Sequence, residues 1–315
     1  GKAQTKSAVS YKNPVVDIAM PDPTVIKAAD GYFYMYATES TRNVPIMKSK
    51  DLVEWTYCNT AFTNKTRPRF EPKAGIWAPD INYINNKYVL YYAMSVWGGE
   101  QTCGIGVATA DSPQGPFTDH GKMFRSNEIG VQNSIDPSFL QYEGRNYLVW
   151  GSFRGIYVIE LTADGLSIMP GAKKKRIAGT AFEAVYIHKH GDYYYMFASI
   201  GSCCQGVKST YKVVVGRSKK VWGPYKDKTG KPMLKNGYSL VIGANDHFVG
   251  NGHGSQIIQD DAGQDWLLYH GFSRSTPENG RILLLDQIKW DQEGWPYVEG
   301  GSPSYETQKA PVFNN

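Results

Sequence analysis

Four cysteines in 315 residues, Cys58, Cys103, Cys203 and Cys204, form no C-x-x-C pair. A zinc site of ordinary spacing is thereby excluded. Cys203 and Cys204 are neighbours; a vicinal disulfide is open to them, and two buried thiols are the expected state. No apolar run reaches the ~18 residues that a membrane span needs. Residues 1–10 lack the apolar core of a signal peptide, so the chain is read as a mature or trimmed form. Helical periodicity is missing throughout, which excludes helical solenoids and barrels that alternate strands with helices. Charge is modest: 34 basic against 29 acidic residues leave a net +5. The one basic run, Lys173-Lys174-Lys175-Arg176, has no interleaved aromatics and reads as a solvated loop, so no nucleic-acid partner is expected.

What the chain has instead is turns and aromatics: 33 glycines, 17 prolines and 22 tyrosines, with aromatics at 13%. Many short strands are implied. Five segments share one pattern, an acidic or polar residue, an apolar strand, a polar turn and an aromatic-rich strand ending in a small residue. They begin at Asp22, Asp80, Asp136, Glu183 and His253, roughly 47 to 70 residues apart. Asp30-Gly31, Asn85-Asn86, Glu143-Gly144 and His190-Gly191-Asp192 supply hairpin turns. A second strand pair follows each hairpin, as in Cys103–Ala110 with Gly115-Pro116-Phe117. Four strands per repeat make a propeller blade, so the fold class is all-β, a five-bladed β-propeller. Residues 1–315 are read as one propeller domain with tails of about 1–13 and 301–315.

Innermost strands line a propeller's channel, so the aligned first residues are expected to converge on one ring. Strand-start carboxylates often only cap turns. Four carboxylates and an imidazole on one axis repel and perturb one another, however, and such crowding marks a functional site.

Several fragments resemble glycoside hydrolase family 43, and within it the arabinanase branch, over about residues 14–300. They are Met20-Pro-Asp-Pro-Thr24, Gly75-Ile-Trp-Ala-Pro-Asp80, Asn133-Ser-Ile-Asp-Pro137, Phe182-Glu-Ala184, Cys203–Tyr211, Val215-Gly-Arg-Ser218 and Gly250-Asn-Gly-His253. The resemblance implies an inverting hydrolase with Asp22 as general base, Glu183 as general acid and Asp136 as a modulator of the acid. Inversion needs one carboxylate to activate water and one protonated carboxyl for the leaving oxygen. A charge on Asp136 is expected to raise Glu183. Asp80 has no implied catalytic role and is expected to be structural.

The resemblance also implies that His253 contacts a hard channel ion, Ca2+; the alternative is a histidine bonded to polar channel groups. One imidazole cannot satisfy calcium, so the shell would be mostly water. The other five histidines, His120, His188, His190, His247 and His270, are read as surface or structural. For the sugar, Trp77 is the expected stacking platform, with a core tryptophan as the alternative, and Asn133, Ser134, Ser152 and Phe153 are expected around the ring. Two positions depart from the arabinanase pattern: Arg154 within Ser152–Ile156, and Pro21 where histidine is usual before the base.

The leading expectation is a monomeric enzyme, secreted, periplasmic or at the cell surface, that cleaves α-1,5-linked arabinan or arabino-oligosaccharides of pectin side chains. Endo action is expected from modest loops and from the 15 residues after position 300, too few for a second domain. A β-xylosidase or arabinofuranosidase of the same fold, and a non-catalytic sugar-binding propeller, are the alternatives. A binding module has no use for an acid–base pair on the axis.

Overall fold

The computed structural model describes residues 7–314; residues 1–6 and 315, parts of the two expected tails, lie outside them. Five antiparallel sheets follow one another along the chain, each made of strands consecutive in sequence. Blade one holds Thr24–Lys27, Phe33–Tyr36, Pro45–Ser49 and Thr56–Thr60. Blade two holds Gly75–Ile84, Lys87–Ser95, Gly104–Ala110 and Thr118–Arg125. Blade three holds Ser138–Tyr142, Arg145–Trp150, Ile156–Leu161 and Lys175–Ala178. Blade four holds Glu183–His190, Tyr193–Ile200, Lys212–Ser218 and Ser239–Ile242. Blade five has a split inner edge, Phe248–Gly252 and Ile258–Gln259, then Asp265–Ser273, Ile282–Trp290 and Pro296–Tyr297. The chain is a five-bladed β-propeller, and no helix of the described residues is long and apolar enough to cross a membrane.

Local chemistry sets the hairpins. Asn85 and Asn86 both take positive φ, as do Glu143 and Gly144, giving tight turns whose twist matches the strands they join. The second strands are apolar without alternation because both their faces are covered. Tyr92 packs toward blade one with Tyr36 and Ile46, while its neighbour Tyr91 packs toward blade three with Leu148 and Trp150. The same two-sided burial continues with Val149 against Met196, and with Phe197 against Leu284. Between blades five and one, Trp266, Leu268 and Leu285 meet Val25 and Met35.

The terminal segments close this last seam. Ser10–Tyr11 pairs with Gln308–Lys309, and Val15 and Val16 bond to Leu283 of blade five. Tyr11, Ala310 and Phe313 enter the blade five to blade one core, so the described parts of the two expected tails are built into the ring.

Each blade carries one residue in the left-handed region at or near its inner strand: Asp22 (φ 56°), Ala78 (φ 43°), Asp136 (φ 58°), Ala184 (φ 54°) and His253 (φ 53°). Register slips accompany two of them, between Trp77 and Asp80 and between Glu183 and Tyr186, and a third slip, between Val249 and Gly252, precedes His253. The aligned residues therefore do not all occupy one ring. The equivalent of Asp22 and Asp136 is Ala78 in blade two and Ala184 in blade four. Glu183 comes one residue earlier, and Asp80 two residues further down the channel. The fifth hairpin differs as well: Gly252 pairs with His270 and Ile258 with Trp266, leaving residues 253–257 outside the ladder. Gln256, in that gap, turns its amide onto Thr24, Val25 and Asp80.

Candidate active site

One cavity of 720 Å³ opens at the end of the ring where the inner strands begin. Asp22, Asp136, Glu183 and His253 line it, with Trp77, Asn133, Ser152 and Phe153. The bulges bring this about. A left-handed residue at the start of a strand rotates its neighbours by one position and frees one amide from the ladder. Neighbouring blades take up these amides: Asp22 N–H donates to His270 Nδ1, Ala78 N–H to Thr38 Oγ1, Ala184 N–H to Asp136 Oδ2 and His253 N–H to Ser199 Oγ.

Asp22 is enclosed by cations. His253 Nδ1 lies 2.9 Å from its Oδ1 and Arg281 Nη1 3.3 Å, while Thr38 Oγ1 donates to Oδ2 at 2.6 Å. Burial alone would raise its carboxyl. The charges of His253 and then Arg281 outweigh burial and hold Asp22 well below the ordinary carboxylate range, so it is an anion at neutral pH. His270, fully buried beside it, is pushed far down by burial and by Arg281; it stays neutral and accepts the Asp22 amide.

Glu183 is held differently. Ser152 Oγ donates to Oε1 at 2.7 Å and Tyr211 to Oε2 at 2.6 Å. Burial raises its carboxyl, and although both hydrogen bonds and His253 work the other way, the net direction is upward. Asp136 is raised by burial and then by the charge of Glu183. Two buried carboxyls that repel each other share a proton into the neutral range. The expectation that an ionised Asp136 raises Glu183 is thus corrected: burial leads for both groups, the charge that raises Glu183 is that of Asp22, and it is Glu183 that raises Asp136.

Below the carboxyls lies a 20 Å³ chamber lined by Asp80, Asp136, Ser138, Gln256 and His253, about the room of one small solvent-sized particle. Asp80 ties three blades together, accepting from Asn82 and Phe139 on Oδ2 and from Gln256 on Oδ1, in keeping with a structural role. Burial raises its carboxyl to about 7. Nδ1 of His253 is engaged by Asp22, so a cation here would have to displace the proton on its other ring nitrogen and would meet that nitrogen and the carboxyls of Asp80 and Asp136 at most. That donor set fits a hard ion only with a mainly aqueous shell.

Ser134 does not belong to the cavity. Its side chain is fully buried, with Oγ donating to Val131 O and accepting from Trp150 Nε1; the backbone turn at Asn133, φ 53°, aims the asparagine at the cavity and its neighbour into the core. Asn133 Nδ2 donates to Ser152 O. Trp77 faces the cavity with its ring centroid 5.6 Å from that of Trp97, an exposed tryptophan that sequence reasoning passed over. Cys203 and Cys204 are joined as a vicinal disulfide and line the cavity half-buried, where two buried thiols were expected. Adjacent thiols in a loop outside the blade cores have nothing apolar to bury them apart. Arg154 stands at the rim, bonded to Glu100 at 3.0 Å. Tyr211 lay within a fragment singled out in the sequence. Thr38, Arg281 and His270 carried no local signal, because they reach Asp22 only through contacts between blades.

A family model described as Glycosyl hydrolases family 43 matches residues 11–296. An extracellular endo-α-(1→5)-L-arabinanase of Bacillus subtilis is 36% identical over 87% of this chain and 86% of its own length. An extracellular exo-α-(1→5)-L-arabinofuranosidase of Cellvibrio japonicus is 35% identical over 88% and 86%. Among solved structures, the Cellvibrio cellulosa α-L-arabinanase complexed with arabinohexaose aligns with a TM-score of 0.81 at 33% identity, covering 89% of this chain and 95% of that one.

Proposed function

The chain belongs to glycosyl hydrolase family 43, and from that premise we propose that it hydrolyses the α-1,5-L-arabinofuranosidic bonds of arabinan with inversion at the anomeric carbon. The observation that carries the reading is the division of labour in one cavity. Asp22 is kept ionised by His253 and Arg281, while Glu183, in a blade not adjacent to it, is pushed toward its protonated form. Asp22 takes a proton from the attacking water and Glu183 gives one to the departing sugar oxygen, the pair that inverting hydrolysis requires. Asp136 bonds the Ala184 amide beside the acid and shares its proton equilibrium. Trp77 and Trp97 offer flat faces to furanose rings, and Asn133 and Phe153 shape the adjoining wall. The enzyme acts as a monomer outside the cell on pectin side chains, a reading supported by relatives named extracellular and by a ring that closes within one chain. Proton NMR of the first product from linear arabinan tests it: initial appearance of the β-anomer is expected, and the α-anomer would remove Asp22 from the role of base.

A calcium ion at the top of the axial chamber, beside His253 and with most of its water shell in the cavity above, accompanies this reading. It would supply fixed positive charge beside Asp80 and Asp136. Exhaustive chelation, like His253→Ala, is expected to lower activity while circular dichroism and the melting transition stay near wild type. Activity indifferent to chelator, with no bound calcium by elemental analysis, would leave His253 only its bond to Asp22.

A further inference from the structure

Outside the cavity, the described residues hold one cluster in which ligand atoms of three metal-binding side chains lie within 4.8 Å of one another: His188, His190 and Asp265. We propose that these residues form a binding site for a divalent transition metal of the zinc type, joining blades four and five at the far end of the channel.

His188 and His190 are two apart on the inner strand of blade four, so both project from the same face of that strand. Asp265 begins the second strand of blade five and meets them across the seam. A rise of ~3.3 Å per residue puts the histidines roughly 17 and 23 Å from Glu183 along the strand, well away from the carboxyl cavity. The histidines carried no metal signal in the sequence because the third donor is some 75 residues further on.

Three features suit a metal. Asp265 is buried, and among the described residues no lysine or arginine pairs with it; its nearest basic neighbour is the His190 ring, 4.0 Å away. A desolvated carboxylate without a fixed cation is unfavourable, and a divalent ion supplies that charge. Second, the donors are already oriented. Trp290 Nε1 donates to Asp265 Oδ2 at 2.8 Å, and the His190 ring lies flat on the Trp290 indole with centroids 3.7 Å apart, the outer support that metal ligands need. Third, the His188 ring also lies nearly parallel to the Trp290 indole, with centroids 6.2 Å apart, so one tryptophan supports both imidazoles and the carboxylate. His190 is 38% exposed, which gives the ion a way in. Two imidazoles, one carboxylate and water form a set that zinc accepts, whereas calcium would want more oxygens. Ligand–metal distances of about 2.0–2.2 Å ask the side chains to draw together by roughly an ångström.

Calorimetric titration of the chelator-stripped chain with Zn2+ tests this, with Co2+ absorption as a second readout of imidazole and carboxylate ligation. One equivalent is expected in the wild type, its affinity falling at least ~10-fold in His190→Ala and His188→Gln and persisting in His120→Ala and His253→Ala. Zn2+ at ~100 times its dissociation constant is expected to raise the wild-type melting temperature by roughly 3–6 °C, and to leave that of His190→Ala unmoved. His190→Ala keeps its activity on arabinan. Absence of a bound equivalent, an equivalent retained in both His188→Gln and His190→Ala, or one lost in His253→Ala would each overturn the assignment; the first outcome would leave His190 and Asp265 as neighbours across the seam.

Discussion

Glu183 and Asp22 have identical chemistry in the unfolded chain, and their surroundings alone separate them. Arg281 and His253 touch Asp22, whereas two hydroxyl donors and no cation touch Glu183. Glu183→Gln is therefore expected to cost about 10²–10⁴-fold in kcat on arabinan and little on an aryl arabinoside whose leaving group needs no proton. Asp22→Asn should disable both substrates. Equal losses for Glu183→Gln on the two substrates, measured in parallel, would contradict its role as acid. A second expectation concerns pH. Tyr211 donates to the Glu183 carboxyl and so favours its anion, lowering its pKa. Tyr211→Phe removes that donor and raises the Glu183 pKa further. Activity depends on protonated Glu183, so the alkaline limb of kcat/KM should move to higher pH while the acidic limb, set by Asp22, stays in place. A shift to lower pH would mean that the tyrosine serves the protonated form instead. The carboxyls were readable in the sequence because each begins a repeated strand motif. Arg281, whose charge comes second only to that of His253 in keeping Asp22 ionised, was not, since its contact exists only once blade five has closed against blade one.

At the level of the strand, the hairpin motif was legible five times over, because turn chemistry and unalternating aromatic runs are local properties of the chain. Its register was not. Ala78 and Ala184 occupy left-handed positions that disfavour alanine by about 1–2 kcal/mol, and nothing in their sequence marks them as equivalent to Asp22. The bulges persist because the amides they free are bonded across blades, and this gives a measurable consequence. Ser199, almost wholly buried, accepts the His253 amide on Oγ at 2.9 Å. Ser199→Ala leaves that buried N–H without a partner, and a loss of about 1–3 kcal/mol is expected as a lower urea midpoint at unchanged m-value. Activity should fall too, since His253 would no longer be fixed against Asp22. A midpoint equal to wild type would show that another group, or water, takes the amide.

The whole molecule decides how a polymer enters. An enzyme that cuts within a chain needs a groove open at both ends, and one that trims ends needs a wall on one side of the reacting bond. The cavity is bordered by Trp77 and Trp97 from blade two, by the Cys203–Cys204 loop of blade four, and by the Glu100–Arg154 bridge between the loops of blades two and three. That bridge is a candidate wall made of solvent-accessible side chains. Its members are 32% and 44% exposed, and an ion pair so open to solvent contributes about 0–1 kcal/mol. A polysaccharide binding several rings over the tryptophans has enough contact energy to displace it, so endo action is the expected mode despite the comparable likeness to an exo-acting relative. Chromatography of early products from linear arabinan should show a ladder of oligosaccharides, and Arg154→Ala should lengthen the ladder with little change in rate on a short aryl substrate. If the wild type instead releases one short product from the first minutes and Arg154→Ala converts it to a ladder, the bridge holds against the polymer and the enzyme is exo-acting. A single product from both proteins would place the wall elsewhere, with the disulfide-bonded loop at residues 201–205 the next segment to cut back.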